Sequence, residues 1–116
     1  MMTSPAIDAA TFDELRETTG AEFVRELVDT FLQEAPSMLD DLRQSLAAMD
    51  AERFRRVAHS LKSNGSTFGA LELAAIARDL ELSGAAQVSG RGPQALAAVE
   101  AEYARAAAAL KGLCNG

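Results

Sequence analysis

The chain has 116 residues, 48% of them hydrophobic, so it can bury one modest core and is not a disordered polymer. A net charge of −6 argues against nucleic acid as a partner, because phosphate backbones select basic surfaces. The sequence shows neither an apolar stretch of membrane-spanning length nor a signal-like N-terminus, and its lone cysteine, Cys114, fits a reducing compartment. We therefore expect a cytoplasmic protein that makes no membrane contact.

Apolar residues recur at helical spacing along almost the whole chain, and no run alternates with the period of two that marks a strand. This pattern predicts a short first helix near 11–18. Asp8 or Thr11 can serve as its N-cap, and Gly20 is suited to end it.

The second predicted helical segment runs over about 21–49. Pro36 lies inside it and is expected to kink or briefly break the helix, because proline cannot donate the backbone hydrogen bond. Its inward stripe is predicted to consist of apolar side chains at helical spacing: Phe23, Leu27, Phe31, Leu32, Met38, Leu39, Leu42 and Leu46.

The third helix is predicted over 51–68, with Asp50 as its N-cap and Gly69 as its stop. A fourth helix is expected over about 70–86. Its inward residues follow the same spacing: Leu73, Ile76, Ala77 and Leu80.

The stretch 88–93 is the strongest turn signal in the chain, and its Pro93 suits the first position of a last helix. That helix is expected to reach about Leu110, with Gly112 closing it. Its inner face is predicted to hold Leu96, Val99, Tyr103 and Leu110.

Four substantial helices joined by short loops predict an all-α fold: an antiparallel up-down four-helix bundle with a short extra N-terminal helix. We expect residues 1–7 to form a flexible N-terminus, 8–112 the folded domain and 113–116 a C-terminal tail. The bundle is expected to be a monomer, since no large exposed apolar face is evident in the pattern.

His59, the chain's one histidine, lies in the third helix, so its direction can be derived. The apolar residues of that helix cluster on one side, and at 100° per residue His59 points about 150° away from the centre of the cluster. A lone histidine is commonly a satisfied core or surface residue. Here the helical periodicity excludes a position for His59 in the core and predicts that its imidazole faces water.

The helical neighbours of His59 are cationic or small. They are Arg55, Arg56, Lys62, Ser63 and Ser66. A charge run on a helix usually marks an ordinary solvated face, but here its sign is opposite to the net charge of the chain. The surface suits phosphoryl transfer, because a neutral imidazole is a nucleophile near pH 7 and nearby cations stabilise the phosphoryl oxygens.

The sequence lacks the residue patterns that are typical of hydrolytic, nucleotide-binding and metal sites. No Asp or Glu is placed to act as a general base, and no Gly-rich phosphate loop occurs. One His and one Cys suggest no metal site and no cofactor. We therefore expect a protein that receives and passes on a phosphoryl group but has no kinase or phosphatase activity of its own.

The segment from Ala58 to Ala70 resembles the signature of histidine-containing phosphotransfer (HPt) domains, which act in multistep two-component phosphorelays. The pattern is His-x-Leu-Lys, a small residue, small polar residues and Gly-Ala. Downstream, Leu80-Glu81 resembles the Leu-Glu pair of the family's next helix, and the run 31–36 resembles its second helix. The resemblance covers about residues 8–111.

By position, this resemblance implies that His59 accepts the phosphoryl group and that Lys62 contacts that group or the partner's acidic pocket. Ser63 stands where the family commonly has Gly, and as a small residue it should keep the ring accessible. Asn64-Gly65 stands where Ser-Ser is common; Gly65 costs the helix roughly 1 kcal/mol relative to Ala, for which close helix packing is a candidate reason.

The family implies receiver domains of response regulators or hybrid sensor kinases as partners, with Mg²⁺ bound by the receiver only. Docking is expected to use apolar residues beside His59, on the exposed parts of the second and third helices. Two alternatives stay open: an adaptor that binds receivers without carrying phosphate, and a metal or cofactor protein with ligands inside the bundle. The Met start and the closing Gly-Leu-Cys-Asn-Gly favour a standalone carrier over a fragment of a hybrid kinase.

Overall fold

A computed structural model of the chain describes residues 5–115, which form five α-helices and no strand. The helices are α1 (Ala9–Thr19), α2 (Ala21–Ala47), α3 (Ala51–Phe68), α4 (Leu71–Arg91) and α5 (Gln94–Asn115). Short α1 precedes four longer helices that share one apolar core. The predicted all-α bundle with a short extra N-terminal helix is confirmed.

Two predicted aspartate caps begin α1 and α3. The Asp8 carboxylate accepts the backbone N–H of Thr11 at 3.1 Å, and Asp50 accepts that of Arg53 at 3.2 Å. The Thr11 hydroxyl also donates to Asp8 at 2.6 Å, and this bond, followed by the backbone one, lowers the pKa of the Asp8 carboxyl. Each cap satisfies an N–H that the helix itself cannot pair.

Two glycines near the end of α3 allow close approach of neighbouring backbone. Gly69 ends the helix with φ +82°, and its carbonyl accepts the N–H of Asp8 at 2.7 Å, which ties the start of α1 to the end of α3. A Cβ on Gly65 would lie 3.2 Å from both the Ala70 oxygen and the Ala74 nitrogen. Close packing of α3 against α4 is therefore the reason for a glycine at position 65 in mid-helix.

The inward face of α2 differs from the prediction. Phe23 is 50% exposed, while Val24 and Val28 are fully buried and continue with Phe31 along the core face. The predicted stripe is therefore wrong at Phe23, because the start of the helix is rotated toward the two valines. Pro36 lies on the exposed side, and α2 runs through it without a break.

The fourth helix is longer than predicted and contains a break. It continues past Ala86 to Arg91, and Gly84 interrupts it with non-helical φ +82° and ψ 164°. Arg91 spans this break: its guanidinium donates to Asp79 at 2.5 Å and to Ser83 at 2.6 Å. Arg91, at the end of α4, thereby binds two side chains that lie before the break.

Both ends of the described chain extend beyond the predicted helices. Helix α5 starts at Gln94, passes Gly112 and reaches Asn115, so the predicted end near Leu110 is wrong. Leu113 packs against the core near the end of α5. Ile7 is buried in the core, which does not fit the predicted flexibility of residues 1–7; of that segment, residues 1–4 lie outside the described residues.

Candidate functional site

His59 lies on the outer face of α3 with its side chain 56% exposed. Its neighbours Ala58 and Leu61 are fully buried and anchor the opposite face of the helix in the core. The direction derived from periodicity is confirmed: the imidazole faces solvent. An exposed ring on a rigid helix can be reached by another protein without any rearrangement of the core.

The imidazole is held by a carboxylate from the neighbouring helix. Nδ1 of His59 lies 2.9 Å from Oε2 of Glu81, a residue of α4. The other oxygen of the same carboxylate lies 3.0 Å from Nζ of Lys62 in an ion pair. The Glu81 side chain is only 14% exposed, so this three-residue contact is shielded from water on the Glu81 side.

The charge on Glu81 decides which ring nitrogen carries the proton. Contact with Lys62 lowers the pKa of Glu81 most, burial opposes the shift, and His59 lowers it further, so the pKa lies below its ordinary value. An ionised carboxylate only accepts hydrogen bonds. Nδ1 must therefore donate to it, and in the neutral ring Nε2 keeps the free lone pair.

The prediction that no Asp or Glu is placed to act as a general base overlooks a carboxylate in direct contact with the imidazole. Glu81 is 22 positions from His59 along the chain and reaches it across the α3–α4 contact. Spacing within one helix shows only neighbours on that helix, so this contact was invisible to the periodicity argument. In the sequence, the Leu80-Glu81 pair of the family resemblance is the one feature that points to this glutamate, and the resemblance implies no role for it.

The remaining predicted site residues lie on the solvent side of α3, within two turns of His59. Ser63 and Ser66 are exposed and follow the ring along the helix, while Arg55 and Arg56 are exposed and precede it. Neither arginine forms an ion pair with a described residue. Lys62 differs from these four because it is 28% exposed and already paired with Glu81.

A groove of about 450 Å³ lies between α2 and α3, on the side of α3 away from α4. Its apolar part comes from Met38 and Val57, and the Asn64 amide lies 3.9 Å from the Met38 sulfur. Its polar rim is formed by Glu34, Asp41, Arg56 and Ser60. The groove and the Glu81 contact thus occupy opposite flanks of the helix that carries His59.

Within residues 5–115, no helix combines the length and the apolar character that a lipid bilayer requires of a spanning segment. The same range contains no cluster of three or more His, Cys, Asp and Glu side chains placed to bind a metal ion. The ionisable groups in contact with His59 are Glu81 directly and Lys62 through it.

Known proteins are similar to this chain in sequence and in fold. The Hpt domain family model matches residues 26–113. The crystal structure of histidine-containing phosphotransfer protein B (HptB) from Pseudomonas aeruginosa PAO1 matches with a TM-score of 0.87 and 29% identity, over 97% of each chain. Sensor protein TorS of Escherichia coli (strain K12) is 33% identical over 64 residues, which are 55% of this chain and 7% of TorS. The chain belongs to the Hpt domain family and is a histidine phosphotransfer intermediate of phosphorelays.

Proposed function

We propose that Nε2 of His59 accepts a phosphoryl group from the phospho-aspartate of one receiver domain and passes it to an aspartate of another. The observation that carries the proposal is the 2.9 Å contact between Nδ1 and Glu81, which leaves Nε2 as the nucleophile on an exposed ring. In the forward step the Nε2 lone pair forms the N–P bond, the P–O bond to the aspartate breaks, and the aspartate leaves as a carboxylate.

Glu81 orients and stabilises the imidazole in this step. The nucleophile loses no proton, because the attacking nitrogen carries a lone pair and Nδ1 keeps its hydrogen. The ring gains positive charge as the N–P bond forms, and the carboxylate of Glu81 is already in place to stabilise it. The same contact relaxes when the phosphoryl group leaves, so one geometry serves both directions of transfer.

The surface around the ring supports contact with a phosphoryl group and with a partner. Cationic side chains at Arg55, Arg56 and Lys62 can stabilise the equatorial oxygens in transit. The small exposed residues Ser63 and Ser66 leave space for a partner's active site above the helix.

The partner and the setting follow from this reading. Receiver domains of response regulators, hybrid sensor kinases or both would supply and remove the phosphoryl group, with Mg²⁺ bound by the receiver and no cofactor in this chain. The α2–α3 groove would receive an apolar segment of the receiver. The protein would act in the cytoplasm as a monomeric carrier without kinase or phosphatase activity of its own.

The test is transfer from a panel of phosphorylated receiver domains to the wild-type chain and to His59→Gln. We expect at least one receiver to label the wild type within seconds, with an acid-labile and alkali-stable product, and no labelling of His59→Gln. ³¹P NMR of the product should identify the Nε2 adduct. Equal labelling of His59→Gln would disprove the proposal. Receiver binding unaffected by His59→Gln, without labelling of either protein, would favour the adaptor alternative.

A further inference from the structure

Three arginines near the site form no ion pair with any described residue: Arg55, Arg56 and Arg78. Most other arginines of residues 5–115 do pair with a carboxylate; the pairs are Arg16–Asp13, Arg43–Glu100, Arg53–Asp41, Arg91–Asp79 and Arg105–Glu102. The chain has 17 acidic residues against 11 basic ones, so a shortage of carboxylates does not explain the three exceptions.

The position of Arg78 follows from the packing of α3 against α4. Glu81 meets His59, while the backbone at Ala74 approaches Gly65, so the two helices run antiparallel. Between these two levels, Arg78 falls at about the same height along the helix pair as Lys62. It is one helical turn before Glu81 and therefore on the same side of α4, and it is exposed.

The three arginines bracket the imidazole. Arg56 lines the α2–α3 groove and so lies on the α2 flank of His59. Arg55 is rotated toward the α4 flank, since successive residues are 100° apart, and Arg78 belongs to α4 itself. Positive charge therefore stands on both flanks of an exposed ring.

Lys62 contributes less net charge to this surface than its place in the family motif suggests. Its ammonium group is compensated by Glu81 at 3.0 Å, and the pair is largely covered. The cationic side chains near His59 that form no ion pair are accordingly the arginines. Charges of one sign around a binding site attract an oppositely charged partner and raise the rate of association.

We infer that Arg55, Arg56 and Arg78 form an arginine collar that docks the acidic active-site face of a phosphorylated receiver domain. The inference rests on the proposed function and adds to it the residues that select an anionic partner, including Arg78 on a helix outside the expected docking surface. The receiver's carboxylates and its aspartyl phosphate supply the complementary charge. The collar acts on association of the two proteins, whereas Glu81 acts on the imidazole.

The test compares Arg78→Gln with Lys111→Gln, which removes the same charge from an exposed, unpaired side chain near the start of α2. Each variant receives phosphate from the receiver that labels wild type fastest, charged with acetyl phosphate and then separated from it. We expect Arg78→Gln to lower kcat/KM about threefold at low salt, and the triple Gln variant of the collar at least about tenfold. Lys111→Gln should change it less than Arg78→Gln does.

Salt and a second donor separate docking from other effects. The loss should shrink between about 0.1 M and about 1 M KCl, where the Debye length falls from about 10 Å to about 3 Å. Arg78→Lys should recover most of the rate. Phosphoramidate transfers its phosphoryl group to imidazole with release of ammonia and without a receiver, so the ratio of receiver-driven to phosphoramidate-driven labelling should fall in Arg78→Gln.

Two results would count against the collar in different ways. Equal rates for Arg78→Gln and Lys111→Gln, with wild type labelled at His59, would overturn the collar and leave the proposed function standing. Labelling that persists in His59→Gln would overturn the proposed function itself and the collar with it.

Discussion

The two flanks of His59 are built differently. On the α4 flank, the imidazole and Lys62 share one largely covered carboxylate, and Gly65 lets the helices approach closely. On the α2 flank lies a groove with an apolar part and a charged rim. Under the proposed function, this difference corresponds to a division of roles: the α4 flank would prepare the nucleophile, and the α2 flank would offer a surface to another protein.

The sharpest way to break this division is to remove the carboxylate. We expect Glu81→Ala to lower the maximal rate of transfer roughly tenfold to a hundredfold, because the ring loses both its orientation and its charge partner. Rapid-quench measurement at saturating receiver would show the loss in kcat, with KM little changed. ¹⁵N NMR of the imidazole should show more of the tautomer protonated at Nε2. A loss confined to KM would mean that Glu81 belongs to docking.

For a variant in the α2–α3 groove we expect the opposite kinetic effect, a change in KM. Met38→Ala should raise KM for the receiver about fivefold, since it removes apolar contact area from the centre of a docking surface. Phe23→Ala is the control: it removes an apolar side chain of α2 that is 50% exposed, roughly 22 Å along the helix from the half-buried Met38. Similar KM values for the two variants would place docking elsewhere.

The close approach of α3 and α4 can be tested through stability. Gly65→Ala should lower the free energy of unfolding by about 1–2 kcal/mol, because the new methyl group meets backbone atoms at 3.2 Å that cannot move aside. Gly90→Ala is the control, since it lies in a helix with open space around it and should gain roughly 0.5–1 kcal/mol. Urea unfolding measures both, and a stabilising Gly65→Ala would contradict the packing argument.

The smallest expected effect is on pH dependence. The lowered pKa of Glu81 means that its contribution to stability is fully present above the ordinary glutamate value and is lost as pH falls through the lowered one. The urea midpoint should therefore drop on acidification from neutral pH into that range, and Glu81→Gln should make the drop smaller. An unchanged pH slope in the variant would show that the contact does not persist in solution.

The sequence predicts correctly those features that depend on a single helix. The bounds of α3, its cap at Asp50, its stop at Gly69 and the outward direction of His59 depend on periodicity and local chemistry, and the structure confirms them. The contact with Glu81 depends on how two helices pack, which spacing along the chain does not contain. The prediction that Phe23 faces inward is wrong for a related reason: the large apolar residues of α2 form a helical stripe in the sequence, but the smaller valines face the core.

The break in α4 has a consequence for how freely this chain can vary. Gly84 separates the turn that carries Glu81 from the segment that leads into α5, and Arg91 holds the two together at their surface. An uninterrupted helix would transmit any rotation of 85–91 directly to the glutamate. Because the helical backbone is interrupted, the contacts of Arg91 with Asp79 and Ser83 are a side-chain link between the two segments. A connection to α5 of different sequence or length should leave the imidazole aligned as long as Arg91 keeps these contacts.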